Sequence, residues 1–297
     1  MEKIRVLFLG TGNAIPTKKR NHTAILLSYK NENILVDCGE GTQRQFNIAG
    51  ISPTKLTRVL ITHWHGDHIL GIPGLLQTLW MLNYNKTLKI YGPIGTKNFF
   101  SLISSLIKVR INFELIEIEN DKIDCGDFDI ETLLLEHEIP SNGYSFLLKD
   151  KRRLDKDKLK KFKLPNSPLL GKLQKGCDIV FNGKKIKAKD VSFIEKGKKI
   201  TFVLDTAKNE NAVKLAKNSD ILICESTFSD EEKEIAEEYK HLTAKQAAEI
   251  AKKSNVKKLI LTHLSQRYEH NSEIILKEAK KIFKNTIIAE DFENFEL

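Results

Sequence analysis

The stretch THWHGDH at residues 62–68 holds four side chains that can bind metal ions within six positions: His63, His65, Asp67 and His68. An apolar run precedes it, so these polar groups begin where a strand is expected to end. Burying so many imidazole and carboxylate groups without a cation would leave them competing for few partners. The stretch therefore predicts a metal site. Its ligand types favour zinc, with iron and manganese as alternatives.

The spacing within this stretch divides the four side chains between two ions. Residues two apart in an extended chain project to the same side, so His63 and His65 can share one ion. Asp67 and His68 lie beyond the turn at Gly66 and can face a second ion. One loop cannot complete two metal sites, so further ligands are expected elsewhere.

Three candidates for the missing ligands each follow an apolar run that is typical of a strand: His137, Asp205 and His263. Functional residues gather at the C-terminal ends of strands in many α/β proteins. We therefore expect these three side chains to meet the THWHGDH loop.

Apolar runs bounded by Gly, Asn or Asp predict the elements that position these residues. In the N-terminal half we expect strands at 4–10, 23–29, 33–39, 58–63, 113–118 and 128–135, and helices at 71–82 and 96–108. In the C-terminal half we expect strands at 200–206, 220–226 and 258–263, helices near 242–253 and 272–283, and a short last strand at TIIAED. NILVDCGEG is similar to ITFVLDTAK, and RVLITH to KLILTH, which indicates two related halves.

The basic excess of the chain is confined to one segment. Residues 149–199 hold 18 Lys/Arg and 6 Asp/Glu, a net charge of +12, whereas the rest holds 30 and 33, a net charge of −3. Residues 150–198 carry Pro and Gly and lack a strong apolar period, so we interpret them as an arm, which can be mobile, rather than as core. Such charge can follow a phosphate backbone, or can belong to a solvated loop without a partner.

Composition limits the remaining choices. The 297 residues suffice for one large domain or two small ones. No apolar run reaches the roughly 18–20 residues that span a bilayer, and the N-terminal apolar run is typical of a first strand rather than a signal peptide. The four cysteines are scattered without a CxxC pair, which favours a reducing, cytoplasmic location over a disulfide framework.

Several strings resemble a known family. The HxHxDH pattern, followed in order by a later His, Asp and His, resembles the metallo-β-lactamase superfamily. Strings along nearly the whole chain resemble its ribonuclease Z branch: FLGTGNAIPTKKRN (8–21), HGDHILGIPGLL (65–76), HEIPSNGY (137–144), HLTAKQAAEIA (241–251) and THLSQRY (262–268). The sequence is identified as a member of this family.

The resemblance implies an α/β fold, an αββα sandwich with metals at one edge of two sheets. It implies a single domain over residues 1–297 with an inserted basic arm at about 150–198, and a homodimer. By position, it places a first zinc ion on His63, His65 and His137. It places a second on Asp67, His68 and His263, with Asp205 bridging the two.

The resemblance also implies an activity: a zinc-dependent endoribonuclease that removes 3′ trailers from precursor transfer RNA. Cleavage would leave a 3′-hydroxyl on the RNA and a 5′-phosphate on the trailer. Asp67 is the expected general base, since a carboxylate that touches the attacking water can accept its proton. His241, at a helix start, would bind the scissile phosphate or protonate the leaving oxygen, and Glu225 would orient it. The alternative for both is a capping or surface role; His22 and His270 have no predicted role.

The resemblance places a transfer RNA-binding arm at the basic segment. We expect five lysines to contact RNA: Lys160, Lys161, Lys163, Lys172 and Lys175. LPNSPLLGKLQKG resembles the family's arm tip, but Ser167 stands before Pro168 where a glycine is expected, which leaves the local turn undetermined.

Other functions compete with this one. Another hydrolase on the same scaffold, acting on a phosphodiester, thioester or lactam, would not explain the basic arm. A di-iron redox protein would replace a ligand histidine with Glu and add a flavin domain, and the β-CASP ribonucleases carry a further large domain. A non-catalytic, zinc-bearing RNA-binding protein is the alternative from another class, although here every ligand position is filled.

Overall fold

The computed structural model describes residues 2–297. Eighteen strands lie within these residues: β1 (Ile4–Gly10), β2 (Ala24–Tyr29), β3 (Glu32–Val36), β4 (Arg58–Leu60), β5 (Leu88–Gly92), β6 (Phe113–Glu117), β7 (Lys122–Asp124), β8 (Phe128–Leu135), β9 (Ser141–Leu148), β10 (Lys151–Leu154), β11 (Ile179–Phe181), β12 (Lys184–Ile186), β13 (Ser192–Glu195), β14 (Lys199–Val203), β15 (Ile221–Glu225), β16 (Lys258–Thr262), β17 (Thr286–Ile288) and β18 (Asn294–Glu296). The α-helices are α1 (Thr42–Ile48), α2 (Gly66–Ile69), α3 (Ile72–Met81), α4 (Thr96–Leu106), α5 (Lys156–Lys161), α6 (Pro168–Gln174), α7 (Glu210–Ala216), α8 (Lys233–Glu238), α9 (Ala244–Lys253) and α10 (Glu273–Ile282).

Two seven-stranded sheets carry the fold, and each has an antiparallel half and a parallel half. The first has the order β18-β1-β2-β3-β4-β5-β6, parallel from β3 to β6. The second has the order β17-β16-β15-β14-β9-β8-β7, parallel from β17 to β14. Val203 pairs with Cys224 and Cys224 with Leu261, so β14, β15 and β16 end at one edge.

Apolar side chains form three layers around these sheets. The central layer joins residues of the first sheet, such as Phe8 and Val36, to residues of the second, such as Tyr144 and Phe202. A second layer joins the outer face of the first sheet to α1, α3 and α4, and a third joins the outer face of the second sheet to α7, α9 and α10. The predicted αββα sandwich is therefore confirmed.

The two sheets are also joined by polar contacts beside the loop that follows β4. The Tyr144 hydroxyl donates to the Ile61 carbonyl at 2.7 Å, and the Asn142 backbone N–H donates to the Thr62 carbonyl at 2.8 Å. Both residues of β9 are buried. These contacts fix the loop after β4, in the first sheet, against a strand of the second sheet.

The basic segment is an ordered unit. Strand β10 pairs with β13 at its root, from Lys151 opposite Glu195 to Leu154 opposite Ser192, and β11 pairs with β12 further out. Six buried apolar side chains form a small core between these elements: Leu159, Leu173, Ile179, Ile186, Ala188 and Val191. The sequence pattern did not indicate this core, because its members are spread over short elements among lysines.

Sequence patterns located most elements outside the arm. The predicted helix at 71–82 is α3, Ile72–Met81, and the predicted strand at 128–135 is β8. Strand β9 was missed, since Ser141-Asn142-Gly143 opens it with residues that strands disfavour; its place between β8 and β14 overrides that preference. Strands β5, β7 and β18 and the short helices α1, α2, α7 and α8 were missed as well. Within residues 2–297, no helix is long and apolar enough to cross a membrane.

Candidate metal centre

The seven predicted ligands come together at one edge of the two sheets. Each stands just after a strand or in the helix that follows one: the first four after β4, the others after β8, β14 and β16. Strand pairing aligns the ends of β8, β14 and β16 within the second sheet, and packing of the two sheets brings the end of β4 against them. The seven residues are His63, His65, Asp67, His68, His137, Asp205 and His263.

Their candidate ligand atoms form two groups that share Asp205. The first group is His63, His65, His137 and Asp205, and the second is Asp67, His68, Asp205 and His263; within each group the atoms lie within 4.8 Å of one another.

Individual distances show how close these atoms are. In the first group, His137 Nε2 lies 3.2 Å from His65 Nδ1, and His63 Nε2 lies 3.5 Å from Asp205 Oδ2. In the second, His263 Nε2 lies 3.2 Å from Asp205 Oδ1 and 3.3 Å from Asp67 Oδ2.

Four of the histidines use Nδ1 for contacts within the protein. His68 Nδ1 lies 2.6 Å from Asp37, His63 Nδ1 3.0 Å from Thr62 Oγ1, and His137 Nδ1 3.1 Å from the Lys240 carbonyl. His263 Nδ1 lies 2.9 Å from Thr227 Oγ1. Contacts of this kind leave Nε2 of each ring for a cation, as is usual for histidine ligands of metals.

The donor set fits a divalent metal. His63 Nε2 and Asp205 Oδ1 are buried without a hydrogen-bond partner in residues 2–297. Unsatisfied buried polar atoms are costly, and a cation between them would satisfy both. Imidazole nitrogens and carboxylate oxygens are ligands that zinc accepts, with manganese or iron as alternatives.

Electrostatics at the centre also favour a positive charge. Burial disfavours the Asp67 carboxylate, but His68 and His263 outweigh that effect and hold the pKa of Asp67 well below its usual range. Burial likewise disfavours a charged His68, yet Asp205, Asp37 and Asp67 raise its pKa well above the ordinary value. The carboxylates therefore attract positive charge to this spot, which a metal ion would supply.

The backbone at the centre adopts unusual conformations. Asp37, Asp205 and His263 are not glycines, yet their φ angles are +57°, +27° and +57°. This left-handed region costs free energy for such residues and persists where the surroundings impose it, often at functional sites. The strain here coincides with the strand ends that bring the carboxylates and His263 to the centre.

Two glycines let the loop after β3 lie against α2. A Cβ on Gly39 would stand 2.3 Å from the Asp67 carbonyl oxygen, and a Cβ on Gly71 would stand 2.1 Å from the Gly39 carbonyl oxygen. The Cys38 backbone N–H donates to the His68 carbonyl at 2.8 Å across this contact. Close packing of the two loops thus holds Asp67 and His68 in place.

His241 stands beside the metal centre in contact with Glu225. Its Nδ1 lies 3.0 Å from Glu225 Oε1, and its ring centroid is 5.2 Å from that of His137. Burial opposes the charged form of His241, but Glu225 and Asp205 outweigh it and raise the pKa to about 9. Glu225 is itself fully buried. The predicted partnership of these two residues is present in the geometry.

An open cleft of about 410 Å³ leads to the centre. His65, His137 and His241 lie on its wall, together with Phe228, Tyr239 and Arg267 from the C-terminal half. The two remaining histidines lie outside the ligand groups: His22 is buried with Nε2 3.2 Å from the Ala14 carbonyl, and His270 is exposed.

The predicted RNA-contacting lysines lie on the arm, and all five are exposed: Lys160, Lys161, Lys163, Lys172 and Lys175. Lys160 has an acidic neighbour, Asp157, at 3.3 Å. At the arm tip, Pro168 opens α6 and Ser167 precedes it in an extended conformation. Ser167 thus takes the N-cap position, although its hydroxyl makes no capping hydrogen bond.

Sequence reasoning missed three polar residues that contact the ligand histidines: Asp37, Thr62 and Thr227. Asp37 could have been found, since NILVDCG ends a predicted strand in Asp just as ITFVLDT does. Thr227 follows β15 in CESTF and carries no local pattern that separates it from an ordinary loop threonine.

Similar proteins include a curated ribonuclease Z and two solved structures. The chain is 38% identical to ribonuclease Z of Methanosarcina acetivorans over 99% of its own length and 98% of the relative's. It superposes on human tRNase Z, short form, with a TM-score of 0.70 and 28% identity over 98% of both chains. It superposes on the metallo-β-lactamase fold protein YhfI of Bacillus subtilis with a TM-score of 0.74 and 20% identity over the whole of both chains.

A family model described as Anti-Pycsar protein Apyc1 matches residues 4–189. That match includes the THWHGDH loop and His137 but ends before Asp205 and His263. The fold and the cluster of histidines and aspartates define the metallo-β-lactamase class. Because its similarity to ribonuclease Z extends over both halves and the arm, the chain belongs to the ribonuclease Z family.

Proposed function

We propose that this protein is a metal-dependent endoribonuclease that removes 3′ trailers from precursor transfer RNA. The observation that carries the proposal is the convergence of seven metal-competent side chains beside His241 at one sheet edge. The substrate class follows from the full-length similarity to ribonuclease Z and from the human tRNase Z structure.

We assign two zinc ions to the centre, the first to His63, His65 and His137 and the second to Asp67, His68 and His263. Asp205 lies close to both groups and would bridge the ions. When bound, two such ions lower the pKa of water and neutralise charge on a phosphoryl group during displacement.

Asp67 is the proposed general base. Its carboxylate lies in the second ligand group, 3.3 Å from His263 Nε2, where it can accept the proton of an attacking water. Water adds to phosphorus and the P–O3′ bond breaks, which leaves the phosphate on the 5′ end of the trailer.

His241 is the proposed acid that completes this step. The leaving O3′ takes a proton from the His241 imidazolium and becomes the 3′-hydroxyl of the transfer RNA. Glu225 stabilises that imidazolium through its contact with Nδ1, which leaves Nε2–H as the donor. The raised pKa of His241, about 9, keeps the donor protonated near neutral pH.

We propose that the arm, within a single domain over residues 1–297, binds the body of the transfer RNA. Acidic residues neutralise many cations at its root: Lys149 with Asp124, Lys151 with Asp127 and Arg153 with Glu195. The five exposed lysines named above lie further out. Phosphate binding there is supported by the net charge of +12 in residues 149–199.

We propose that the protein is a homodimer and that α3 and α4 lie in the interface. Several large apolar side chains of these helices are exposed: Trp80, Met81, Phe99, Leu102 and Leu106. We propose that these side chains form one apolar patch, which a contact between two copies of the chain would cover. We expect Leu102→Glu to shift the sedimentation coefficient from that of a dimer to that of a monomer, whereas a Lys97→Glu control should not. A monomeric wild type would contradict the proposal.

A cytoplasmic location is proposed with the function. All four cysteines are free, as is usual in reducing compartments.

The proposed function predicts that Asp67→Ala reduces cleavage of precursor transfer RNA by about 10²- to 10⁴-fold, the usual contribution of a general base or acid. The measurement is end-mapping of the products by wild type and variant, combined with metal analysis of both proteins. Wild type should yield a 3′-hydroxyl on the transfer RNA and contain two zinc ions.

Other results would favour the competing functions. Undiminished cutting by Asp67→Ala would overturn the mechanism. A wild type that hydrolyses bis(p-nitrophenyl) phosphate but leaves precursor transfer RNA intact would indicate another phosphodiesterase. Tight RNA binding with two zinc ions and no cleavage would indicate a non-catalytic RNA-binding protein.

A further inference from the structure

Two fully buried carboxylates outside the proposed ligand set, Asp37 and Glu225, stand at corresponding places in the two sheets. Asp37 follows β3 in the first sheet, and Glu225 ends β15 in the second. A buried carboxylate is costly unless hydrogen-bond donors surround it. Each of these two contacts one histidine directly and one threonine hydroxyl.

Asp37 reaches two histidines of the metal centre. His68 Nδ1 lies 2.6 Å from Asp37 Oδ2, and the Thr62 hydroxyl donates to the same oxygen at 2.8 Å. Because that hydroxyl has a single proton and gives it to the carboxylate, it can only accept from its other neighbour. That neighbour is His63 Nδ1, 3.0 Å away.

Glu225 has the same arrangement in the second sheet. His241 Nδ1 lies 3.0 Å from Glu225 Oε1, and the Thr227 hydroxyl donates to Glu225 Oε2 at 2.6 Å. The hydroxyl also lies 3.1 Å from the His263 carbonyl oxygen, but the Glu225 carboxylate is closer and charged, so it takes the proton. The Thr227 oxygen then accepts from His263 Nδ1, 2.9 Å away. Thr227 is 1% exposed and Thr62 is 0% exposed, so water does not compete for either hydroxyl.

We propose that Asp37 with Thr62, and Glu225 with Thr227, are positioning residues, and that each threonine hydroxyl fixes the tautomer of one metal-binding histidine. The hydroxyl accepts from Nδ1–H, so Nε2 of His63 and of His263 is left with a lone pair for the metal. This inference rests on the proposed metal centre. The two threonines should affect different ions: Thr62 the binding of the ion held by His63, and Thr227 the binding of the ion held by His263.

Zinc affinity measured by competition with a chelating indicator tests the proposal without any RNA. Thr62→Val and Thr227→Val keep the shape of the side chain and remove the hydroxyl. Each variant should weaken the binding of one of the two zinc ions by about 10- to 100-fold, the usual effect of removing an outer-shell partner. In a His137→Ala background, which impairs the first site, Thr227→Val should weaken the remaining ion and Thr62→Val should not.

Matched controls separate orientation from packing. Thr62→Ser and Thr227→Ser keep the hydroxyl and should restore zinc affinity to within about threefold of wild type. Thr262 is also buried and precedes His263 as Thr62 precedes His63, but its hydroxyl has no hydrogen-bond partner among residues 2–297. Thr262→Val should therefore bind both ions as wild type does. In zinc-loaded protein with ¹⁵N-labelled histidine, the valine variants should shift the Nδ1–H resonance of His63 or His263.

Unchanged zinc affinity in both Thr62→Val and Thr227→Val would overturn the proposal. The proposal would also fail if the serine variants, or Thr262→Val, bound zinc as weakly as these two valine variants. Failure here is distinguishable from failure of the proposed function. Wild-type protein that does not cut precursor transfer RNA would reject the proposed function but leave the zinc titrations valid. Normal cutting by the wild type, with unchanged zinc affinity in the valine variants, would reject only this inference.

Discussion

Each histidine of the proposed metal centre except His65 contacts a residue outside the ligand set through Nδ1, so its orientation is set before any metal binds. His65 is the exception in exposure as well, with a side chain 35% exposed beside the cleft. A preorganised set of ligands loses little conformational entropy on binding. We therefore expect the fixed orientation of His63, His68 and His263 to increase the affinity for metal above that of the same residues in an unfolded chain.

At the residue scale we predict that His241→Ala slows cleavage of precursor transfer RNA by about 10²- to 10⁴-fold and leaves both metals bound. The physical reason is loss of the proton donor for the leaving oxygen. Single-turnover cleavage and metal analysis measure the two parts. His270→Ala is the matched control, because His270 is exposed and lies outside the ligand groups.

Loss of a metal ion in His241→Ala would assign His241 to the metal centre instead. That outcome has a structural basis, since His241, Glu225 and His263 also bring their ligand atoms within 4.8 Å of one another. A cleavage rate equal to that of the His270 variant would show that His241 has no part in the reaction.

At the scale of elements, the arm is joined to the rest of the chain through one strand pair. Lys151 and Glu195 are opposite one another in the β10–β13 ladder, so the residues beyond them leave and return at one place. The arm core is separate from the three larger apolar layers. The arm can therefore be removed at this ladder with little disturbance of the sheets.

We predict that deletion of residues 152–194, with a two-glycine link between Lys151 and Glu195, spares hydrolysis of bis(p-nitrophenyl) phosphate to within about twofold. Cleavage of precursor transfer RNA should fall by about 10²-fold or more, because the deletion removes the lysines that release counterions from the phosphate backbone. The values of kcat/KM for the two substrates measure this separation.

A charge variant with an intact arm serves as the control for the deletion. Replacing the five predicted RNA-contacting lysines with glutamine should weaken RNA binding and lower the salt slope by about one for each lysine that binds a phosphate. Equal loss of both activities in the deletion would show that the arm supports the catalytic fold rather than the RNA.

At the scale of the whole molecule, the proposed metal centre lies between the two sheets. His63, His65, Asp67 and His68 follow a strand of the first sheet, whereas the other three proposed ligands follow strands of the second. Residues of both sheets come close enough to bind the same ion only in the folded protein. Metal binding and global stability are therefore coupled.

We predict that removing the metal with a chelator abolishes cleavage and lowers the melting temperature by several degrees. Free zinc at 1,000 times its dissociation constant stabilises a folded protein by about 4 kcal/mol per site. Differential scanning calorimetry with and without chelator measures the shift, and added zinc should restore both properties. A His63→Ala/His263→Ala protein is the control, and its melting temperature should not respond to chelator.

Local patterns predicted most elements outside the arm and pointed to the candidate ligands, because both depend on short-range features. Apolar strands that end in Asp or Thr-His located Asp205 and His263, and the spacing around Gly66 separated the two ligand groups. The arm core was not predictable in this way, since Leu159, Leu173 and Val191 become neighbours only after the arm has folded. Strand β9 was missed because its first residues disfavour strands, and only its place between β8 and β14 makes it one.

The sequence by itself determined which residues can bind metal, at which strand ends they lie, and where the positive charge is concentrated. These properties follow from side-chain chemistry and from periodicities of a few residues. The tertiary structure alone decided that Asp37 and Glu225 each reach two histidines, and that Asp205 lies against both ligand groups. Those contacts join residues of distant strands, and their distances are set by how the strands align in the two sheets and how the sheets pack together.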